Sequence, residues 1–334
     1  MTGHTAVVAG LGGFVPATVV TNHDLAAYLG TDDEWIRTRT GIRQRHVVSP
    51  GEATSDLACQ ASRQALRSAG VSTVDALVLA TATPDQPCPA TAPQVASRLG
   101  LGGIPAFDLA AVCTGFVYAL VAAAGMITMG VAGRVLVVGA DAFTTVLAPG
   151  DRSTRVLFGD GAGAVVLRAG VAGEPGALLG LELGSDGSRS ELIEIPGGGS
   201  RQRATGLPVK PEDTYLAMRG QAVFAQAVQR MSASIRHSTA RTGWQLGQVD
   251  RFVLHQANAR ILTAVATDLG VPAERFVANI DRVGNTVAAS IPLGLVDAVG
   301  AGVLRPGHRL VLAGFGGGLT WGSVALVWPD LAAG

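Results

Sequence analysis

Lysine is almost missing from this sequence: Lys210 stands alone among 334 residues, and every other basic side chain is Arg. Charge of either sign is scarce, at 15% of residues, and 25 basic groups against 25 acidic ones leave no net charge. That excludes bulk attraction to nucleic acid or anionic membrane, and leaves room only for a local basic patch. Cysteine is equally thin. Cys59, Cys88 and Cys113 are too few and too spread for a disulfide framework and lack CxxC spacing, so a reducing cytoplasm and no metal site are expected. The opening MTGHTAVVAG has no basic n-region and no long apolar h-region, so no signal peptide is read. What the chain does have is apolar surface, with 48% hydrophobic residues and a mean hydropathy of +0.36, which indicates a large buried core rather than disorder. Leu109–Gly133 is uncharged and long enough to span a bilayer. Its flanks, FDLAAV and RVLVVGAD, read as buried strands without charge asymmetry, so a helix buried on all sides is expected, not a membrane span.

The sequence nearly repeats itself. VDALVLATATPD from Val74 resembles VDRFVLHQANAR from Val249, and GRVLVVGAD from Gly133 resembles GHRLVLAGF from Gly307. AFDLAAVCTGF and VANIDRVGNTV place Cys113 and Asn285 after similar strands, and a final pair joins DGAGAVVL at Asp160 to TWGSVALV at Thr320. Matches in the same order point to one fold written twice, as halves 1–172 and 173–334. Apolar runs of strand length alternate with longer segments such as Thr54–Ala69 and the stretch where Val223, Ala227, Met231 and Ile235 recur, which implies α/β layers. Ser185–Pro211, rich in Gly and Ser, is too long for an ordinary connection and reads as a surface loop or lid.

Cys113 follows a strand and precedes an Ala-rich helix pattern. A cysteine there meets unpaired N–H groups and the positive end of the helix dipole, both of which favour thiolate. Cys59 lies inside a helix pattern and reads as core. Among six histidines, His255 differs by ending an apolar strand and opening the polar string HQANAR, a position that often lines a site in layered α/β folds. The repeat carries Asn285 to the same place, so Cys113, His255 and Asn285 are expected to converge. Gly316–Gly318 suit a tight turn or close approach to a reactive carbonyl. GLGGFV at Gly10 lacks the third glycine of a dinucleotide loop, so that reading is set aside.

Together AAVCTGF, HQANAR, GNTVAAS, FGGGLTWGS and DDEWIRTRTGIRQRH resemble β-ketoacyl-acyl-carrier-protein synthase III over nearly the whole chain. The resemblance implies the thiolase-like five-layered αβαβα fold and a homodimer. It implies an acyltransferase for fatty acid or polyketide synthesis, with acyl-CoA and malonyl-acyl carrier protein as substrates and no cofactor. Cys113 would take the acyl group, and His255 and Asn285 would stabilise the enolate left by decarboxylation. The N–H groups of Cys113 and Gly317 would form an oxyanion hole. Trp35, Arg39, Arg152 and Asn258 match coenzyme A contacts, and Gln256 and Arg260 match a carrier-protein docking position. Arg219, Arg230 and Arg236 add basic groups on the long helix pattern. Cys88 stands where acetyl-preferring relatives have a Phe that enters the partner subunit's acyl pocket, so a roomier primer pocket is expected. The alternatives are a synthase-like acyltransferase that transfers without condensing, and a non-catalytic scaffold.

Overall fold

The structure, a computed structural model, describes residues 4–332; Met1–Gly3, at the start of the stretch read for a signal, lie outside them. The apolar runs form strands and the Ala-rich segments form helices. In chain order the strands of the two main sheets are β1 (His4–Phe14), β2 (Ala76–Ala80), β3 (Ala106–Leu109), β4 (Arg134–Asp141), β5 (Gly161–Val171), β6 (Leu179–Ser185), β7 (Arg251–Leu254), β8 (Arg309–Gly316) and β9 (Thr320–Val327). The principal helices are α1 (Thr54–Ser68), α2 (Gly115–Thr128), α3 (Gly220–Arg241), α4 (Ala259–Leu269) and α5 (Ser290–Gly300).

One sheet runs β1-β5-β4-β2-β3 and the other β7-β8-β9-β6. Strands of period two bury both faces. Ala76, Val78 and Ala80 face the centre, where α2 and α5 lie, while Leu77 and Leu79 face α1. In the second sheet Leu310 and Leu312 face the centre, while Val311 and Ala313 face α3 and α4. The layers are therefore α1, sheet, α2 with α5, sheet, α3 with α4, the five-layered αβαβα arrangement expected. The uncharged stretch Leu109–Gly133 supplies α2, whose Phe116, Leu120, Ala123 and Ile127 are buried while Gly125 and Thr128 are exposed, so the helix is not buried on all sides as expected. No helix among the described residues is long and apolar enough to cross a membrane.

The sheets repeat each other closely. β2 lies beside β4 with Ala76 opposite Val135, and β7 lies beside β8 with Arg251 opposite Leu310, counterparts 175 residues apart. The edge strand β3 has its echo in a single bridge between Phe252 and Phe276. The same spacing relates the one-turn helices Val112–Thr114 and Val287–Ala289, and each starts on a valine with positive φ, 45° and 51°. This register corrects the alignment drawn from the sequence alone: the counterpart of Cys113 is Ala288, and Asn285 precedes it by one turn.

Glycines permit the close approaches. The Gly10 and Gly12 of GLGGFV lie in β1, where a Cβ would fall 2.4 Å from the Ala65 backbone of α1. Gly139 of β4 receives the Val287–Ala289 turn, and a Cβ there would fall 2.4 Å from the Ala288 carbonyl oxygen. Gly139→Ala should therefore lower stability by about 1–3 kcal/mol, the usual cost of overpacking. Gly125→Ala, with open space at its Cβ in α2, should raise it by roughly 0.5–1 kcal/mol. Urea unfolding midpoints of the two variants check the contrast; a neutral Gly139→Ala would refute the contact.

Candidate active site

A cavity of about 500 Å³ opens at the strand ends, and Cys113, His255 and Asn285 all line it. Cys113 sits on the Val112–Thr114 turn between β3 and α2. Its Cβ and N lie 2.9 Å from where a Gly316 Cβ would stand, so only glycine allows the end of β8 this close. His255 continues β7, with its N–H bonded to the Ala313 carbonyl at 2.9 Å. Asn285 is held between two neighbours: its N–H donates to the Leu157 carbonyl (2.8 Å) and its carbonyl accepts from Gly159 (3.0 Å). Its side-chain Oδ1 accepts the Val287 N–H at 3.0 Å, which fixes the amide and leaves Nδ2 as a donor.

The protonation states follow from burial. His255 is 2% exposed, and desolvation pulls its pKa down to about 3, so the ring is neutral at physiological pH. Its Nδ1 is buried with no partner. The Cys113 thiol departs from the thiolate expected at a helix end. Burial pushes its pKa well up, and the Asp141 carboxylate adds to that shift, while its own backbone N–H only partly opposes it. At rest the Cys113 side chain is a thiol.

Asp141, which sequence reasoning passed over, closes β4. Its Oδ1 accepts from the Ala82 N–H (2.7 Å) and from the Thr81 and Thr83 hydroxyls, and its Oδ2 from the Ala288 N–H (3.0 Å). Full burial pushes its pKa up to about 7 against those bonds. A charged residue ending an otherwise apolar strand was the visible signal. The apolar walls were also missed: Phe143 and Phe158, with ring centroids 4.7 Å apart, cluster with Cys113, Leu147, Leu216 and Val287.

The remaining expected residues divide. Trp35, Arg39, Asn258 and Arg260 line the cavity. Arg152 does not, but its guanidinium lies 4.9 Å from the Trp35 ring centroid, and that of Arg39 lies at 4.5 Å. Asn258 caps α4 through Oδ1 on the Arg260 N–H and donates Nδ2 to the Arg39 carbonyl. Gln256 is excluded from docking. It is fully buried, its Nε2 donates to the Leu254 and Val277 carbonyls, and its Oε1 accepts from Asn279. Arg230 and Arg236 are paired with Asp186 and Asp268, which leaves Arg219 and Arg260 as the basic groups of that set without an ion pair among the described residues. Gly317 is buried beside the lining Gly316, and its N–H finds no acceptor among the described residues. Cys88 is exposed and lies outside the cavity of its own chain. The Ser185–Pro211 segment is partly ordered: Ile193–Glu194 pairs with Ala217–Met218, and Ile193 and Met218 face the cavity. Among the described residues no group of His, Cys, Asp and Glu is gathered to hold a metal.

Residues 107–187 match the family model of 3-oxoacyl-[acyl-carrier-protein] synthase III, and residues 239–328 match that of its C-terminal part. The chain is 58% identical over 327 residues to β-ketoacyl-[acyl-carrier-protein] synthase III 5 of Streptomyces coelicolor, covering 98% of each. The chain belongs to the β-ketoacyl-acyl-carrier-protein synthase III family. It is also 55% identical over 326 residues to the synthase III of Pseudomonas aeruginosa, covering 98% of this chain and 97% of that one. The crystal structure of 3-oxoacyl-(acyl carrier protein) synthase III from P. aeruginosa PAO1 superposes with a TM-score of 0.92 at 53% identity, covering 98% of this chain and 99% of that one. The priming β-ketosynthase of the R1128 polyketide pathway gives 0.89 at 33% identity, covering 98% of each chain. Members of the family are condensing acyltransferases of the thiolase fold, and this chain is one.

The Asp141 charge behind the nucleophile gives a direct test. In Asp141→Asn the alkylation of Cys113 by iodoacetamide, followed from pH 8 to 10, should move to lower pH. At fixed pH below the thiol pKa, the thiolate fraction should rise about tenfold for every unit by which the pKa falls, and the rate about threefold once the weaker nucleophilicity of a less basic thiolate is counted. An unmoved profile would show that the carboxylate does not act on the thiol.

Proposed function

We propose that this synthase starts fatty acid or polyketide chains, with Cys113 as the acyl carrier and His255 with Asn285 as the enolate stabilisers. One observation carries the reading: three side chains from separate segments, two after strands and one between helical turns, line one cavity, with the histidine neutral and the amide fixed. An acyl-CoA thioester gives its acyl group to the Cys113 sulfur, and the thiol proton passes through neutral His255 to the departing coenzyme A thiolate. Malonyl on a carrier protein then loses carbon dioxide. The enolate oxygen accepts hydrogen bonds from Asn285 Nδ2 and from the His255 nitrogen that faces the cavity. Its carbanion attacks the acyl-Cys113 carbonyl, whose oxygen is held by the N–H groups of Cys113 and Gly317, and the Cys113 sulfur leaves. The reaction calls on no cofactor, since coenzyme A enters as substrate.

Coenzyme A would lie at the Trp35 end, with its adenine against the indole and its phosphates on Arg39 and Arg152, and its pantetheine arm beside Asn258. Arg260, exposed at the cavity mouth, would meet the acidic carrier protein, with the exposed Arg219 as a second free cation to attract it. The halves 1–172 and 173–334 would supply the nucleophile and the His-Asn pair; the strands of the first sheet fall within 4–171 and those of the second within 179–327, which supports that division. A reducing cytoplasm agrees with three free cysteines.

A synthase-like acyltransferase without condensation is the alternative, and it would leave the fixed Asn285 donor without a task. Because the thiol at rest needs a base while the enolate needs donors, the two half-reactions should separate. Asn285→Ala should still acquire a radioactive acyl group from acyl-CoA on Cys113, yet lose malonyl decarboxylation by ~10²–10³, the usual cost of one such donor. His255→Ala should lose both. Equal, small losses in Asn285→Ala would favour plain acyl transfer, and label on a Cys113→Ser protein would remove the assigned nucleophile.

The exposed Cys88 supports a homodimer in which its loop reaches the partner's acyl cavity. Each methylene buried there is worth about 0.8 kcal/mol, so two or three change primer preference by roughly one to two decades. The ratio of kcat/KM for four-carbon or branched acyl-CoA over acetyl-CoA should fall in Cys88→Phe by that order. A ratio that Cys88→Phe leaves unchanged would take this residue out of the pocket.

A further inference from the structure

A second, smaller cavity of about 200 Å³ shares Phe158 as a lining residue with the first. Its walls include Arg45, Arg155, Tyr28 and Thr144, with valine and leucine side chains between them and no carboxylate. Arg45 is the unusual member. It is 1% exposed, yet its hydrogen bonds go only to neutral acceptors: Nη1 to the Val20 carbonyl (3.2 Å) and to Asn22 Oδ1 (2.9 Å), and Nη2 to the Val156 carbonyl (2.7 Å). Its Nε is buried without any partner. Arg155, half-buried, likewise donates only to a carbonyl, that of Thr144, and neither guanidinium forms an ion pair among the described residues. Two cations therefore border one small space with no counter-charge in its lining, an arrangement that repulsion and lost hydration both disfavour. Burial pulls the Arg45 pKa down to about 10, with Tyr28 only partly opposing it.

The carboxylates nearby are occupied. Asp160 accepts from the N–H groups of Val48 and Thr144 and from the Thr144 hydroxyl, so it secures two wall residues from behind. Asp33 reaches Arg45 only through Asn22, whose Nδ2 donates to it at 2.8 Å. The space itself corresponds to roughly six waters at about 30 Å³ each, enough for a tetrahedral or planar oxyanion with a remnant of its hydration. The exposed Tyr28 phenol stands among the lining groups as one more donor.

We infer that this cavity binds a small oxyanion between the Arg45 and Arg155 guanidinium groups. Planar forks with several N–H donors suit phosphate and carboxylate-like ligands. The chemistry admits two sources, inorganic phosphate from solution or bicarbonate formed from released carbon dioxide. The site also connects to the catalytic cavity. Arg45 holds the Val156 carbonyl, and the next residues, Leu157 and Gly159, hold both backbone groups of Asn285. An anion that settles the Arg45 charge would thus steady the segment that carries the enolate donor.

The test uses the full-length protein saturated with coenzyme A, so that any phosphate subsite of that ligand is already filled. Inorganic phosphate and sodium bicarbonate are titrated separately at constant ionic strength, with sodium chloride as the reference, by calorimetry and by thermal melting. Saturable binding and a raised Tm with one of the two anions, at least tenfold weaker in Arg155→Leu and weakened in Tyr28→Phe, are expected; whichever anion binds more tightly identifies the source. Arg155 is only half-buried, so its removal should leave the fold intact, and Arg45→Met provides a second variant if it folds. Binding of neither anion, an effect matched by chloride, or binding undiminished in Arg155→Leu would overturn the assignment.

Discussion

One buried carboxylate holds the catalytic loops in register. Asp141 closes the central strand of the first sheet and reaches two partners that belong to different halves of the chain. Through Oδ1 it fixes the turn after β2, and through Oδ2 it fixes the Ala288 N–H. The residue before Ala288 orients the Asn285 amide, so the donor that faces the cavity hangs from the same anchor. Among the described residues no cation balances Asp141, and its burial is compensated by hydrogen bonds. That choice has a cost for the nucleophile, since an anion so placed opposes formation of a thiolate. The site therefore keeps Cys113 as a thiol until substrate arrives.

Duplication explains why the site lies where it does. Two similar sheets present equivalent turns toward each other, and both turns begin with a valine held at positive φ, a conformation that β-branched residues adopt only under constraint. The first turn carries Cys113 at its middle residue. The second has Ala288 at that position, and Asn285 lies one turn earlier.

Much of this was legible in the sequence, and the exceptions share a cause. The layered fold and the placing of Cys113 and His255 follow from apolar runs and strand ends, which are properties of local pattern, whereas Asn285 was reached through an alignment three residues out of register. Distance in the chain hid the rest. Gln256 sits in a polar string that reads as surface, but its amide bridges Leu254, Val277 and Asn279, and only the folded neighbours reveal that. Arg230 and Arg236 read as free cations until Asp186 and Asp268 appear beside them. The thiolate expected of Cys113 rested on the helix end, a local feature, whereas desolvation depends on everything packed around it. Asp141 was visible as a charge ending an apolar strand, but its partners lie 58 to 147 residues away.

The indole of Trp35 has consequences of its own. Two guanidinium groups, from Arg39 and Arg152, already lie against it, so a flat ligand arriving there exchanges with a cation rather than covering a bare ring. Such an exchange returns one stacking contact for another and yields little from stacking alone. The displaced guanidinium gains only if the newcomer carries negative charge of its own. A neutral aromatic ring and a phosphorylated one of the same shape are thus told apart at this rim by their charge, and the distinction fades as salt screens it.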